Sequence, residues 1–306
     1  MTANVDNVPL PESVFRSVQI VLPTIEYKSV EQIGFGMNRR VYRVSDGQTY
    51  WAISIAKSCV YSEINSFRQE VKLLNYLQDI IVSGITPQDA QLVESQDGHF
   101  AMIYRFIEGR NLSSVTIPES KLNILAIQIA NFFYQLHTIS LDSLDSIDIQ
   151  TINLLDDHYI PMLKTAKDDI DGYSYTYLKN LQEKFRYYDN NFSQSPVLVH
   201  GDISGEHLLV DSEYNLCGVI DFGDIMISDF AIDFAGILND MPKEFLDKIM
   251  INYNNSFDTY FFKRVEALIN MAPLFDIAYE GAVHVSRKKA EAIQKLKQLA
   301  LSLIHI

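Results

Sequence analysis

Residues 197–234, VLVHGDISGEHLLVDSEYNLCGVIDFGDIMISDFAIDF, set acids and imidazoles directly after short apolar runs. Val197-Leu198-Val199 ends in His200-Gly201-Asp202, and Val219-Ile220 ends in Asp221-Phe222-Gly223-Asp224. Such runs read as buried strands, so the polar groups fall at strand ends. Between them, apolar runs at 208–210 and 216–220 flank Asp211-Ser212-Glu213-Tyr214-Asn215, which reads as a hairpin turn. That hairpin is expected to bring Asp202, His207 and Asp221 toward one place. A carboxylate can orient an attacking hydroxyl and accept its proton, while oxygen and imidazole donors hold a divalent ion that neutralises phosphate charge. Asp202 suits the first role; His207 and Asp221 suit the second.

The HGD group, a ligand residue five positions after its Asp, and a following IDFG resemble the catalytic and metal segments of the kinase-like antibiotic phosphotransferases. The likeness is greatest to aminoglycoside phosphotransferases that modify the 2″-hydroxyl, and macrolide phosphotransferases are similar over the same stretch. His207 stands where much of the wider group has Asn, a variation familiar in those two branches. Residues 229–234 resemble the family's DPxxDF segment, with Phe230 in place of Pro, and the resemblance implies that Asp233 braces the catalytic loop. It implies further that Asp202 accepts the hydroxyl proton and that His207 and Asp221 hold Mg2+ across the phosphates of ATP or GTP.

Residues 33–44 resemble a kinase-like nucleotide-positioning hairpin, in which Gly34 and Gly36 let the backbone approach phosphates. After the Asp46-Gly47 turn, residues 50–57 form a good third strand. The family carries a phosphate-binding Lys there, and the register from Ala52 puts it at position 54, which is Ser54. Lys57 is the candidate replacement, although side-chain alternation turns it to the other face unless a bulge intervenes. Another cation, such as Arg39 or Arg40, is a second solution, and a weakened nucleotide site a third. Residues 62–77 read as an amphipathic helix with Ile64, Phe67, Val71, Leu74 and Leu77 on one face. By the resemblance its Glu70 pairs with the strand cation; by composition alone it is an exposed helix charge. Backbone groups of Tyr104, Phe106 and Ile107, in the linker between lobes, would hydrogen-bond the purine base.

The remainder is mainly helical. One helix runs from Pro118-Glu119 to His137, with His137 packing or capping its end. The acidic and aromatic residues of 153–191 read as a solvated helix pair rather than a substrate wall. Helices are expected over 243–260 and 262–301. Asp276 and Glu280 lie four apart on one helix face. By the resemblance they and Asp224 would grip substrate amines; a solvated helix face explains Asp276 and Glu280 equally well.

A formal net charge of -14 over 306 residues argues against a nonspecific nucleic-acid binder and suits a cationic partner. Cys59 and Cys217 read as buried free thiols. The opening residues lack the basic and apolar regions of a secretory leader, and no apolar run reaches membrane-spanning length. A cytoplasmic monomer is expected.

The whole implies an α+β, bilobal protein-kinase-like fold, with a small antiparallel-sheet nucleotide lobe over 1–104 and a larger, mostly helical catalytic and substrate lobe over 105–306. The implied activity is nucleotide- and magnesium-dependent phosphorylation of an aminoglycoside hydroxyl, conferring resistance. The alternatives are a kinase for macrolides or other hydroxylated small molecules, and a catalytically silent nucleotide-binding module.

Overall fold

The computed structural model describes residues 8–35, 39–57, 61–81, 84–191, 195–279 and 285–302. In chain order these form α1 (Glu12–Val21), β1 (Glu31–Phe35), β2 (Arg39–Ser45), β3 (Tyr50–Ala56), α2 (Tyr61–Ile80), β4 (Gln91–Glu94), β5 (Phe100–Arg105) and β6 (Arg110–Asn111). There follow α3 (Glu119–His137), α4 (Ile160–Ala166), α5 (Gly172–Asn190), β7 (Val197–Val199), β8 (Leu208–Val210), β9 (Leu216–Val219) and β10 (Met226–Ser228). The chain ends with α6 (Ala231–Asp240), α7 (Lys243–Asn252), α8 (Phe261–Met271), α9 (Pro273–Ala278) and α10 (Val285–Ser302). Two compact units result: one from Met1–Ile117, Leu144–Asp148 and Glu206–Gly223, the other from Pro118–Ser143, Ile149–Gly205 and Asp224–Ile306.

In the first unit the strand order is β1-β2-β3-β5-β4, with every neighbouring pair antiparallel. β3 lies at the centre and is buried from Trp51 to Ala56, as a strand flanked on both sides should be. Alternation sends Tyr42, Val44, Trp51, Ile53, Ile55 and Ile103 to one face, where they pack with Val14, Phe15 and Val18 of α1. Full burial of each such side chain stabilises by about 1.5–3 kcal/mol, which is what anchors α1. On α2, Phe67, Leu74 and Leu77 are buried at helical spacing, and Glu70 sits in the same buried stripe. A smaller sheet, β6-β8-β9, holds the predicted hairpin. Cys217 lies on its edge strand and is half-buried, where the apolar run had implied full burial. Cys59 lies outside the described residues.

In the second unit β7 and β10 pair antiparallel, and aromatic rings fill the space among α3, α6, α7 and α8. Phe257 and Phe261 stand 4.4 Å apart, Phe230 and Phe261 5.0 Å, and Phe133 and Phe234 5.1 Å. Arg264 of α8 is fully buried beside this cluster. Its Nε donates to Asp229 at 2.5 Å and its Nη2 to Asp258 at 2.7 Å, so one cation ties the segment after β10 to the loop before α8. The helices expected over 243–260 and 262–301 are therefore broken into α7, α8, α9 and α10. Asn254-Asn255-Ser256 favours local side-chain hydrogen bonds over helix, and Ser256 N donates to Asn255 Oδ1. Pro273 ends one helix and supplies the first residue of the next. Among the described residues, no helix is long and apolar enough to cross a membrane.

Replacing Arg264 with Leu leaves Asp229 and Asp258 buried without their cation. A loss of about 3–5 kcal/mol of stability is expected, read as a lower urea midpoint at unchanged slope; a loss under about 1 kcal/mol would show the pair to be dispensable.

Candidate active site

The hairpin forms as expected and decides the position of His207. Leu208 pairs with Val219, and Ile220 N donates to His207 O at 3.0 Å, extending the ladder by one step. His207 and Asp221 thereby leave the same end of the hairpin, with Nε2 and Oδ2 3.7 Å apart. Asp221 has φ +66, in the left-handed region that a non-glycine residue enters at a cost of order 1–3 kcal/mol. The imidazole and carboxylate supply two donors, and among the described residues no three His, Cys, Asp or Glu side chains gather as a metal cage. A two-donor set fits Mg2+, which keeps several waters and shares substrate phosphate oxygens.

Asp202 belongs to the other unit, and its position is decided by β7 and β10. Met226 pairs with Val199, so the turn at His200-Gly201-Asp202 lies opposite Ile225-Asp224. Gly201 has φ +82, and a Cβ there would run into the Asp224 carbonyl oxygen, so the close approach admits only glycine. Asp202, Asp224 and His158 line one small recess together with Met226, Ile232 and Phe275. His158 arrives on a wide helical turn, Leu154–Tyr159, that precedes α4.

The Asp202 loop is held by α6. Asp233 is fully buried, and its two carboxylate oxygens accept His200 N at 3.0 Å and Gly201 N at 2.9 Å. Asp240, at the end of the same helix, accepts Gly205 N at 3.0 Å. His137 Nε2 also meets Asp233 Oδ2 at 3.0 Å, and its Nδ1 meets the Tyr253 hydroxyl at 3.0 Å. Because a carboxylate only accepts, Nε2 carries the proton given to Asp233. Burial pushes the Asp233 carboxyl up, but the His137 hydrogen bond and charge, the nearby His200 and its N–H together hold it below the usual carboxylate range.

The residues expected to meet the nucleotide fall within the first unit. Ser54 is buried on β3 between Val41 and Met102. Lys57 follows Ala56, and its ammonium is pushed down by burial and by the charge of Arg40. Arg40 stands opposite Ile55, on the face turned toward α1. The carboxylate of Glu70 is instead met by Arg39, with Nη1 to Oε2 at 2.5 Å. Sequence reasoning named Arg39 only as one possible substitute; the buried pairing depends on how α2 packs, which no local pattern reveals. Tyr104 lies at the end of the same site, its hydroxyl pushed up by burial and by Glu70 and Asp221. In the linker, Ile107 packs against Gly218, and Phe106 N donates to Tyr50 O at 2.9 Å. Gly34 stands at a bulge between β1 and β2; Gly36 lies outside the described residues.

Of the acids expected to meet substrate, Asp224 joins Asp202 in the recess, Asp276 is exposed on α9, and Glu280 lies outside the described residues. Among the acids of 153–191, Asp156 pairs with Arg186 at 2.6 Å, and Asp171 caps α5 by accepting Ser174 N at 2.8 Å. Sequence reasoning missed β10 and His158. Met226-Ile227-Ser228 is too short to stand out as a strand, and a lone His in a helical stretch carries no signal of its own.

The model of the phosphotransferase enzyme family matches residues 29–264. Among solved structures, the GDP complex of wild-type aminoglycoside 2′-phosphotransferase-IIIa is similar with a TM-score of 0.79 at 20% identity, over 95% of this chain and 99% of that one. The GDP and kanamycin complex of APH(2″)-IIIa gives 0.77 at 22% identity, over 94% and 97%. The macrolide 2′-phosphotransferase MphH from Brachybacterium faecium gives 0.67 at 15% identity, over 94% and 98%. These likenesses establish a kinase-like fold with a small antiparallel-sheet part and a helical part.

The depressed Asp233 carboxyl sets a pH window. Its stabilisation is complete above about pH 4, the ordinary carboxylate value, and is lost as pH falls through the lower folded value. Thermal melts of wild type and Asp233→Asn are expected to differ by a constant amount from about pH 5 to 8 and to converge below about pH 4. A gap that stays constant into that acid range would count against an ionised Asp233.

Proposed function

The chain belongs to the phosphotransferase enzyme family, and from that premise we propose that it transfers the γ-phosphoryl group of ATP or GTP to a hydroxyl of an aminoglycoside, conferring resistance. The observation that carries this reading is the recess where Asp202 and Asp224 stand together, in a chain of net charge -14. Paired carboxylates favour a hydroxylated substrate that also bears amines.

In the reaction, the substrate oxygen bonds to the γ-phosphorus as the bond from that phosphorus to the bridging oxygen breaks. The hydroxyl proton passes to the Asp202 carboxylate, and the nucleoside diphosphate leaves with the bridging oxygen. Asp224 would hold a substrate amine, with exposed Asp276 as a further acid on the same unit. His207 and Asp221 would hold magnesium, which when bound neutralises phosphate charge. Phosphoryl transfer is mostly positioning, and that is the work of the Asp233 brace on the loop carrying Asp202.

The apolar side chains of Met226, Ile232 and Phe275 in the same recess favour a second reading, a macrolide as acceptor. A macrolide presents far more hydrocarbon and far fewer amines.

Incubation with magnesium, either nucleotide and a panel of aminoglycosides and macrolides, followed by mass spectrometry, tests the proposal. One phosphate added to an aminoglycoside is expected. Asp202→Ala should lower kcat about 10²–10⁴-fold with nucleotide affinity preserved. Products from macrolides alone would install the second reading. Nucleotide binding without any product would mark a silent module.

A further inference from the structure

We propose that Arg39 of β2 is the cation that binds the nucleotide phosphates, in the place left without a lysine at Ser54 of β3. The proposal rests on the nucleotide-dependent reading above and identifies which residue makes it workable.

The register puts Arg39 where the missing lysine would act. Arg39 stands opposite Ala56, and Val41 opposite Ser54, in an unbroken antiparallel ladder. Residues directly opposite share a face, as do residues two apart, so Arg39 and Ser54 lie on the same face of the sheet. Arg40 and Lys57 leave from alternate positions on the α1 side. A lysine at 57 therefore has the right charge on the wrong face.

The partners of Arg39 agree with that role. Glu70 is 4% exposed, and a carboxylate so buried requires a cation; Arg39 Nη1 supplies it at 2.5 Å. Phe67, one turn earlier on α2, lies under the guanidinium at 4.4 Å from its ring centre, fixing the plane of the fork. The other edge of the fork turns toward Gly223. A Cβ at Gly223 would stand 3.2 Å from Arg39 Nη2 and 3.5 Å from Asp221 Oδ1, so guanidinium and carboxylate are close neighbours there. Burial works against the charge of Arg39, yet Glu70 and then Asp221 and Tyr104 hold it above its ordinary value. An arginine has five N–H donors, and the bond to Glu70 engages one of them. The Nη2 edge beside Asp221 is left in position for phosphate oxygens that a magnesium ion on Asp221 would share.

The test measures binding of magnesium-nucleoside triphosphate and of the parent nucleoside to the full chain by calorimetry. Arg39→Met paired with Glu70→Gln removes both buried charges at once, so neither ion is left without its partner. For this double variant, triphosphate affinity is expected to fall about tenfold or more while nucleoside affinity changes less than about twofold. A structural role alone would not produce that split. Arg39→Lys keeps the ion pair and the fold but loses the bidentate fork, and about threefold weaker triphosphate binding is expected. Triphosphate affinity equal to wild type in the folded variants overturns the assignment of Arg39 and leaves the phosphotransferase reading standing. Wild type that binds no triphosphate overturns both.

Discussion

A carboxylate buried among aromatic rings must have both oxygens satisfied, and at Asp233 the groups that satisfy it are the backbone of the loop leading to Asp202. The His200 and Gly201 N–H groups lie at the end of β7 with no further ladder to join, so an acceptor from another element is needed. α6 provides it from its first turn through Asp233 and, from its last turn, holds Gly205 through Asp240. The loop is thus gripped at both ends by one rigid helix. His137, itself met by the Tyr253 hydroxyl, then holds Asp233, and the rings of Phe133, Phe230 and Phe234 exclude water from the network.

The same logic recurs in the other unit with different parts. Glu70 occupies a buried stripe of α2, and Arg39 reaches it there with an opposite charge. Arg264 repeats the arrangement with the signs exchanged, a buried cation between Asp229 and Asp258. Removing one partner of a buried pair generally costs more than the pair is worth against an apolar replacement, and each pair here fixes where its two elements meet. That is the property a phosphoryl-transfer protein needs, since its chemistry is positioning and charge neutralisation.

Much of this was legible in the residues. The strand after the Asp46-Gly47 turn matches β3, helical spacing located α2 and α3, and the hairpin turn placed His207 beside Asp221. The gap at Ser54 was also visible, because strand register is a local property with period two. Part of what escaped was non-local. β10 is three residues long and acquires its meaning from pairing with β7, and the C-terminal helices break where Asn254-Asn255-Ser256 and Pro273 outweigh a continuing apolar pattern.

The sequence by itself determined the identity of the acids and imidazoles at strand ends and the absence of lysine at position 54. Tertiary structure alone decided which buried charge meets which. Arg39 and Glu70 are 31 positions apart, and Asp202 and Asp224 share a recess only through the β7–β10 register. Side-chain partners across such separations follow from packing of whole elements, and local propensity carries no information about that packing.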